Sequence, residues 1–396
     1  VAAGLLCALV VAGCGGGGGG GAGPAAGARL VDVYSLLPLR GRDAGAARAL
    51  VSGVRLALAQ RRDRAGQVFI RYEPLDDSDP HTGRPSPGLA VQRALRVATD
   101  PNAVVLIGGF AARATAAAVP VVSRAGIAQI VATSEPGLPR PSGRPTQVRL
   151  FPSDAVEAAA VLQAVKQARC PSAVVAWGGP GGRAMAGLIG DTRRLYGIDV
   201  VPSPGAAGPS GVRAVIQTVR ETGARCLVFA GTPAGGGAAV TRAVAASNPG
   251  LTIIGTHGMC VPAWSAASAP PVAARVEAPT TLLCTRPTLP VGALPGGAQF
   301  LDAYRAAYHR LPQPYAIDGY EAMMLTLDTL AELGDAATDR SAVLRGLFAV
   351  RRRESALGTY DVTRDGDVTL RSIGLYRVGA AGRITFLRGL TPPKVL

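Results

Sequence analysis

The stretch Gly179-Pro180-Gly181-Gly182-Arg183-Ala184 has residue types and spacing that suggest chemistry, since it matches a relaxed G-x-G-x-x-A fingerprint. Glycines in that pattern let backbone amides approach a pyrophosphate, and an acid after the next strand holds the ribose. Here Val200-Val201 leads into Pro202-Ser203. The stretch therefore reads as a tight strand-to-helix turn, and no cofactor is expected. Asp76, Asp77 and Asp79 form an acidic loop of the kind that serves metals or acid-base pairs. Following a strand, such a loop is more often a cap and a solvated turn. Cys-x-x-Cys and His-x-x-x-His are both absent, so no metal site is expected, and neither is a Gly-x-Ser-x-Gly nucleophile present. His257, one of three histidines, falls where a strand should end. That position favours a pocket role. These residues point to binding without turnover.

The six cysteines divide by context. Leu9-Val10-Val11-Ala12-Gly13-Cys14 is followed by an unbroken glycine run from Gly15 to Gly21. An apolar run, small residues, a cysteine and a flexible tract read as a secretory signal over 1–13 with a glycine-rich tether over 14–28. Val11-Ala12-Gly13-Cys14 resembles a bacterial lipobox, which implies a lipid anchor on Cys14 and a place on the extracytoplasmic face of the cell membrane. Cys170, Cys226, Cys260 and Cys284 remain, an even number in an exported chain, which favours disulfides. Cys170 and Cys226 each stand just before a core strand, and parallel neighbours would bring their starts within bridging distance. A second bridge, Cys260–Cys284, is also expected.

The elements that must position these residues alternate. Strand-like runs such as Ala103-Val104-Val105-Leu106-Ile107 are apolar throughout, and helical stripes such as Leu50, Val54 and Leu58 separate them. That rhythm implies parallel sheets covered on both faces. It restarts after Phe151-Pro152, so two doubly wound units are expected, with the ligand at the carboxyl ends of their strands. The segment from Gly358 to Leu390 switches to short alternating strands. The chain of 396 residues carries a net charge of +15, almost all from scattered arginine. No basic stripe with interleaved aromatics stands out, so no nucleic-acid partner is expected. A basic surface suits an anionic membrane.

Five short motifs recur in order. Pro38-Leu39-Arg40-Gly41 looks like a P-L-x-G turn, and Ile107-Gly108-Gly109 with Thr115 like an I-G-x-x-x-S-x-x-T segment. Ala132 to Leu138 is similar to an A-T-x-P-x-L loop. Tyr315 with Tyr320-Glu321-Ala322 resembles a Y-x-x-x-x-Y-D-A helix, and Gly358-Thr359-Tyr360-Asp361 with Asp365-Gly366-Asp367 a closing strand pair. Together they make the chain from Ala28 onward resemble a type I periplasmic binding protein of the Leu/Ile/Val-binding branch, the substrate-binding component of ABC importers. The resemblance implies an α/β fold of two Rossmann-like lobes around a ligand cleft, with an ABC permease as partner and the chain itself a monomer. Expected lobe boundaries are 29–150 plus 284–350 and 151–283 plus 351–396.

The resemblance also implies a site. The α-carboxylate position falls on Ala112, Ala132, Thr133 and Ser134, and the neighbouring Arg113 offers a charged donor. In the second lobe the ammonium-holding acid falls on His257, and the aromatic position near Trp177. An amino acid or small carboxylate is therefore the expected ligand. A lipid-anchored enzyme of similar fold and a ligand-sensing receptor module are the alternative classes.

Overall fold

The computed structural model describes residues 29–133, 145–248, 250–264, 280–379 and 383–393. The expected signal, the tether with Cys14, and Ser134 lie outside the described residues.

The first lobe runs β1 (Leu30–Leu37), α1 (Ala44–Gln60), β2 (Arg64–Ala65), β3 (Val68–Asp76), α2 (Pro87–Thr99), β4 (Ala103–Gly108), α3 (Ala112–Arg124), β5 (Ala128–Val131) and β6 (Gln147–Arg149). The second runs α4 (Asp154–Gln167), β7 (Ser172–Trp177), α5 (Gly179–Thr192), β8 (Asp199–Gly205), α6 (Gly208–Thr222), β9 (Cys226–Ala230), α7 (Ala238–Ser247), β10 (Thr252–Gly255) and β11 (Thr281–Arg286). The chain then returns to the first lobe through α8 (Gly297–Tyr308), α9 (Ala316–Leu333) and α10 (Arg340–Ala349), and ends in the second with β12 (Ile373–Val378) and β13 (Ile384–Leu390).

The first sheet has the order β2-β3-β1-β4-β5-β6 and the second β13-β12-β11-β10-β9-β7-β8. Pairing is parallel except at β2–β3 and where β12 and β13 close the second sheet. β4 is buried at every position, as a parallel strand covered on both faces must be. Both sheets thus carry the doubly wound pattern expected from the sequence.

Two close approaches set the frame of the cleft. A Cβ on Gly53 of α1 would lie 1.8 Å from the Ala316 carbonyl, and one on Gly319 of α9 would lie 2.2 Å from that of Leu50. The two helices therefore pack backbone on backbone, which fixes where α9 begins. In the second lobe, α5 starts at Gly179, so the stretch read as a strand-to-helix turn is already helix. A Cβ on Gly182 would sit 2.3 Å from the Ala230 carbonyl of β9. The glycine run is thus the helix's first turn pressed onto the sheet.

The lobe boundaries differ from expectation in two places. Cys284 and Thr285 belong to the second sheet, because β11 pairs with β10 and β12 through Arg286. Residues 351–370 pack on the first lobe, where Leu357, Tyr360, Val362 and Val368 join its core. The third crossover therefore comes after Leu370. The first and third connections touch: the Arg149 guanidinium pairs with Asp367, and the Arg149 amide donates to Gly366 at 2.8 Å.

Both expected disulfides form, with Cα separations of 6.0 Å for Cys170–Cys226 and 5.3 Å for Cys260–Cys284. The acidic loop is a turn, as read, at two of its three acids. Asp76 accepts from the Leu39 and Ser78 amides at 3.0 and 2.9 Å, and Asp79 from Thr82 at 2.7 Å. Asp77 departs from that reading. It is 2% exposed, its Oδ1 has no partner, and burial, aided by Asp76, pushes its carboxyl up to about 7.

Candidate functional site

The carboxyl ends of the strands meet between the lobes. In the first lobe, β4 ends in Gly108-Gly109, both at positive φ (132° and 100°). Their carbonyls are held by buried neighbours. Gln129 Nε2 donates to Gly108 at 3.0 Å, and Thr133 Oγ1 donates to Gly109 at 2.7 Å. The Thr133 hydroxyl proton is thus spent inside the protein, and Ala132 and Thr133 are 3% and 1% exposed. Ala112 opens α3 half-buried, and Arg113 on the same turn is exposed. The expected carboxylate loop exists as backbone, with its hydroxyl turned to structure. The Thr115 hydroxyl is likewise committed, to the Ala111 carbonyl at 2.9 Å.

In the second lobe Trp177 ends β7 half-buried against the lobe's core, with the Arg183 guanidinium 5.7 Å from its ring centre. His257 begins the turn after β10. Its amide donates to Glu157 Oε1 at 2.7 Å and its Nδ1 pairs with Glu157 Oε2. Thr285 Oγ1 adds a third bond to Glu157 at 2.6 Å. Burial alone would raise the Glu157 carboxyl, but the charge of His257 and these bonds outweigh it and hold the carboxyl low. An acid therefore stands behind His257, one layer in. The signal for Glu157 in the sequence is that it is the one acid in the largely apolar run 155–165, where an ionised group has to be partnered.

His257 and its neighbours line a cavity of about 890 Å³. That lies in the upper part of the usual range for ligand pockets, roughly 300–1,000 Å³. The turns after β9 and β10 contribute from the second lobe, and residues 286–292 from the second crossover. From the first lobe come Ala46 of α1 and the approach to α9, residues 311–315 with Ile317 and Asp318. The lining is mainly aliphatic and proline. Arg113, Thr133 and Trp177 are not part of it. The rings of Phe110 and Tyr315 meet edge to face at 5.6 Å, so the start of α9 adjoins the loop after β4.

Two charged groups line this cavity besides His257. Arg286 donates through Nε to the Cys260 carbonyl at 3.2 Å, and its guanidinium lies 5.1 Å from the Tyr376 ring centre. Asp318, on the first turn of α9, is 6% exposed. Burial pushes its carboxyl up to about 7, opposed only by its own backbone N–H. The available signal in the sequence was an acid in a helix apolar on nearly every side, Ala316-Ile317-Asp318-Gly319-Tyr320. Among the described residues no group of three His, Cys, Asp or Glu side chains could hold a metal ion, and no helix is long and apolar enough to cross a membrane.

The sequence matches the family model described as periplasmic binding protein over residues 33–383. No curated protein matches it. Among solved structures, a leucine-binding protein from Thermotoga maritima superimposes with a TM-score of 0.68 at 19% identity, covering 91% of this chain and 99% of that one. An ABC transporter substrate-binding protein from Desulfitobacterium hafniense in complex with Leu gives 0.69 at 18% identity, with coverage of 91% and 100%. A solute-binding protein from R. palustris in complex with benzoate gives 0.64 at 19% identity, with coverage of 92% and 97%.

Proposed function

Because the chain belongs to the periplasmic binding protein family, we propose that it is the substrate-binding component of an ABC importer and captures an amino acid or small carboxylate by closing its lobes. The observation that carries this reading is the cavity shared by both lobes and by the second crossover. A ligand seated there touches both lobes at once, so closing them converts contact area into affinity. The solved relatives hold leucine in one case and benzoate in another, both small carboxylates. The strand-end loops at Ala112, Ala132 and Thr133 face the cleft in this reading, with backbone amides as the donors for a carboxylate. His257 lines the cavity itself, and Arg113, Ser134 and Trp177 are proposed to join the contact set as the lobes close.

Thermal unfolding against a panel of amino acids, aromatic acids, amides and polyols tests capture. A ligand at 100 times its dissociation constant adds about 2.7 kcal/mol, an upward shift of several degrees. A flat response across the panel would count against small-molecule capture.

We further propose that Cys14 carries a lipid and holds the protein at the extracytoplasmic face, beside an ABC permease. The Val11–Cys14 tetrad and its glycine spacer support this. Expression in a bacterium that processes lipoproteins should give a membrane-bound product whose mass begins at acylated Cys14. Recovery with Cys14 unmodified would overturn the anchor.

A further inference from the structure

We propose that Asp318 is the acceptor for an ammonium group on the captured ligand, and that this ligand therefore carries a basic nitrogen on a bulky apolar body rather than being a plain carboxylate. The inference rests on the binding-protein reading above and narrows its ligand class.

The geometry that carries it is a buried acid in an apolar cavity. Asp318 lines the cavity from the first turn of α9 and is 6% exposed. Among the described residues no arginine, lysine or histidine pairs with it. The cationic side chain in the cavity lining, Arg286, bonds the Cys260 carbonyl and lies over Tyr376. Three other buried acids have such partners: Asp32 has Arg71, Glu157 has His257 and Thr285, and Glu321 has Arg353 and Tyr360. Asp77 is buried with an unpartnered Oδ1, but it does not line the cavity. A carboxylate kept from water without a partner is costly, and a partnered one is far less so. His257 is tied to Glu157 and Arg286 to the Cys260 carbonyl, and neither pairs with Asp318, so a ligand is the natural source of a cation for it. The position is not left to chance, because Gly53 and Gly319 lock α9 onto α1 one residue away from the carboxyl. Around it the wall is apolar, with Pro287, Leu289, Val291 and Leu294 of the second crossover and Ile317 beside it. That wall suits an aliphatic or aromatic body joined to the nitrogen.

The family resemblance implies an ammonium-holding acid at the position that His257 occupies. In the structure that histidine is tied to Glu157, and the acid facing the cavity comes from the opposite lobe. Charge complementarity for an amino group therefore sits on α9 and not on the turn after β10.

Calorimetry at pH 8 with matched pairs tests this. Phenylalanine is compared with 3-phenylpropanoate, and leucine with 4-methylpentanoate, so that each pair differs only in the amino group. The parent protein should bind the amino member of a pair at least about tenfold more tightly, the size of one charge-assisted hydrogen bond. Asp318→Asn should abolish that preference, while Asp318→Glu should keep part of it. A preference that survives Asp318→Asn overturns the assignment. So does a parent protein that binds only the nitrogen-free acids, an outcome that leaves capture itself standing. A parent protein that binds none of the four overturns the assignment and counts against capture as well. Should Asp318→Asn fail to fold, the parent's own discrimination within each pair, with the Glu variant, decides.

Discussion

Arg353→Ala is expected to cost about 3–5 kcal/mol of stability, because it strands a buried acid. Glu321 is 1% exposed within α9. Arg353 Nε donates to its Oε1 at 2.7 Å, and the Tyr360 hydroxyl donates to the same oxygen at 2.7 Å. Burial raises the Glu321 carboxyl, and the charge and hydrogen bonds of Arg353, with that of Tyr360, pull it only part of the way back. Removing the guanidinium leaves only the Tyr360 hydroxyl against the burial penalty. Asp328, the second acid on Arg353, keeps its bond from Arg61 at 2.7 Å and is half-exposed, so the loss concentrates on Glu321. Urea unfolding at neutral pH measures the cost. The variant Arg353→Ala/Glu321→Gln should recover part of it, since the stranded charge is gone. A loss below about 1 kcal/mol, or a double variant no better than the single one, would sink the argument.

This network also shows what was legible in the sequence. Glu321 and Tyr360 both stood in motifs that marked the family, yet nothing in either motif says that the two side chains meet. The alternation of apolar strands with striped helices fixed the two sheets, because a parallel strand covered on both faces must be apolar along its length. The Cys170–Cys226 bridge followed from the same alternation, since both cysteines precede neighbouring parallel strands. Boundaries were less visible where packing overrides local signals. α5 begins at Gly179 because small residues let it lie on β9, and residues 351–370 stay with the first lobe through Tyr360 and Arg353.

The site was legible as a place more than as chemistry. His257 lines the cavity, but its tie to Glu157 spans 100 residues and has no local trace. The Thr133 hydroxyl illustrates the converse. Its residue type fits a ligand donor, but the Gly109 carbonyl lies closer and takes the proton. Asp77 and Asp318 share one physical oversight. Each looks like an ordinary turn or cap acid in sequence, and each is in fact enclosed.

That enclosure gives the unliganded protein an expected decline in stability between pH 5 and pH 8. Burial pushes Asp77 and Asp318 each up to about 7, from an unfolded value of about 4. A carboxyl raised on folding holds its proton more tightly in the native state. Its contribution is complete below the unfolded value and is lost as pH rises through the folded one. Two pH steps of that window lie below about 7, so each acid costs on the order of 3 kcal/mol across it. Glu157 has the opposite sign: its lowered carboxyl stabilises above the unfolded value, near 4.5, and that stability is lost at more acidic pH. It therefore stays outside the window. Asp77→Asn and Asp318→Asn should each flatten the decline by a comparable amount, and the double variant should be more stable than the parent at pH 8, with any remaining slope set by Asp32 and Glu321, whose carboxyls burial also raises. Asp77 lies in the turn after β3 and is absent from the cavity lining, so its share of the effect should persist in the presence of any bound ligand. The share that belongs to Asp318 should shrink when a ligand bearing an ammonium group saturates the cleft, because the carboxylate then has a partner. Urea titrations of the four proteins at pH 5, 6, 7 and 8 read this out. Parallel pH curves for parent and double variant would show that water reaches both carboxyls and that neither is held away from its ordinary range.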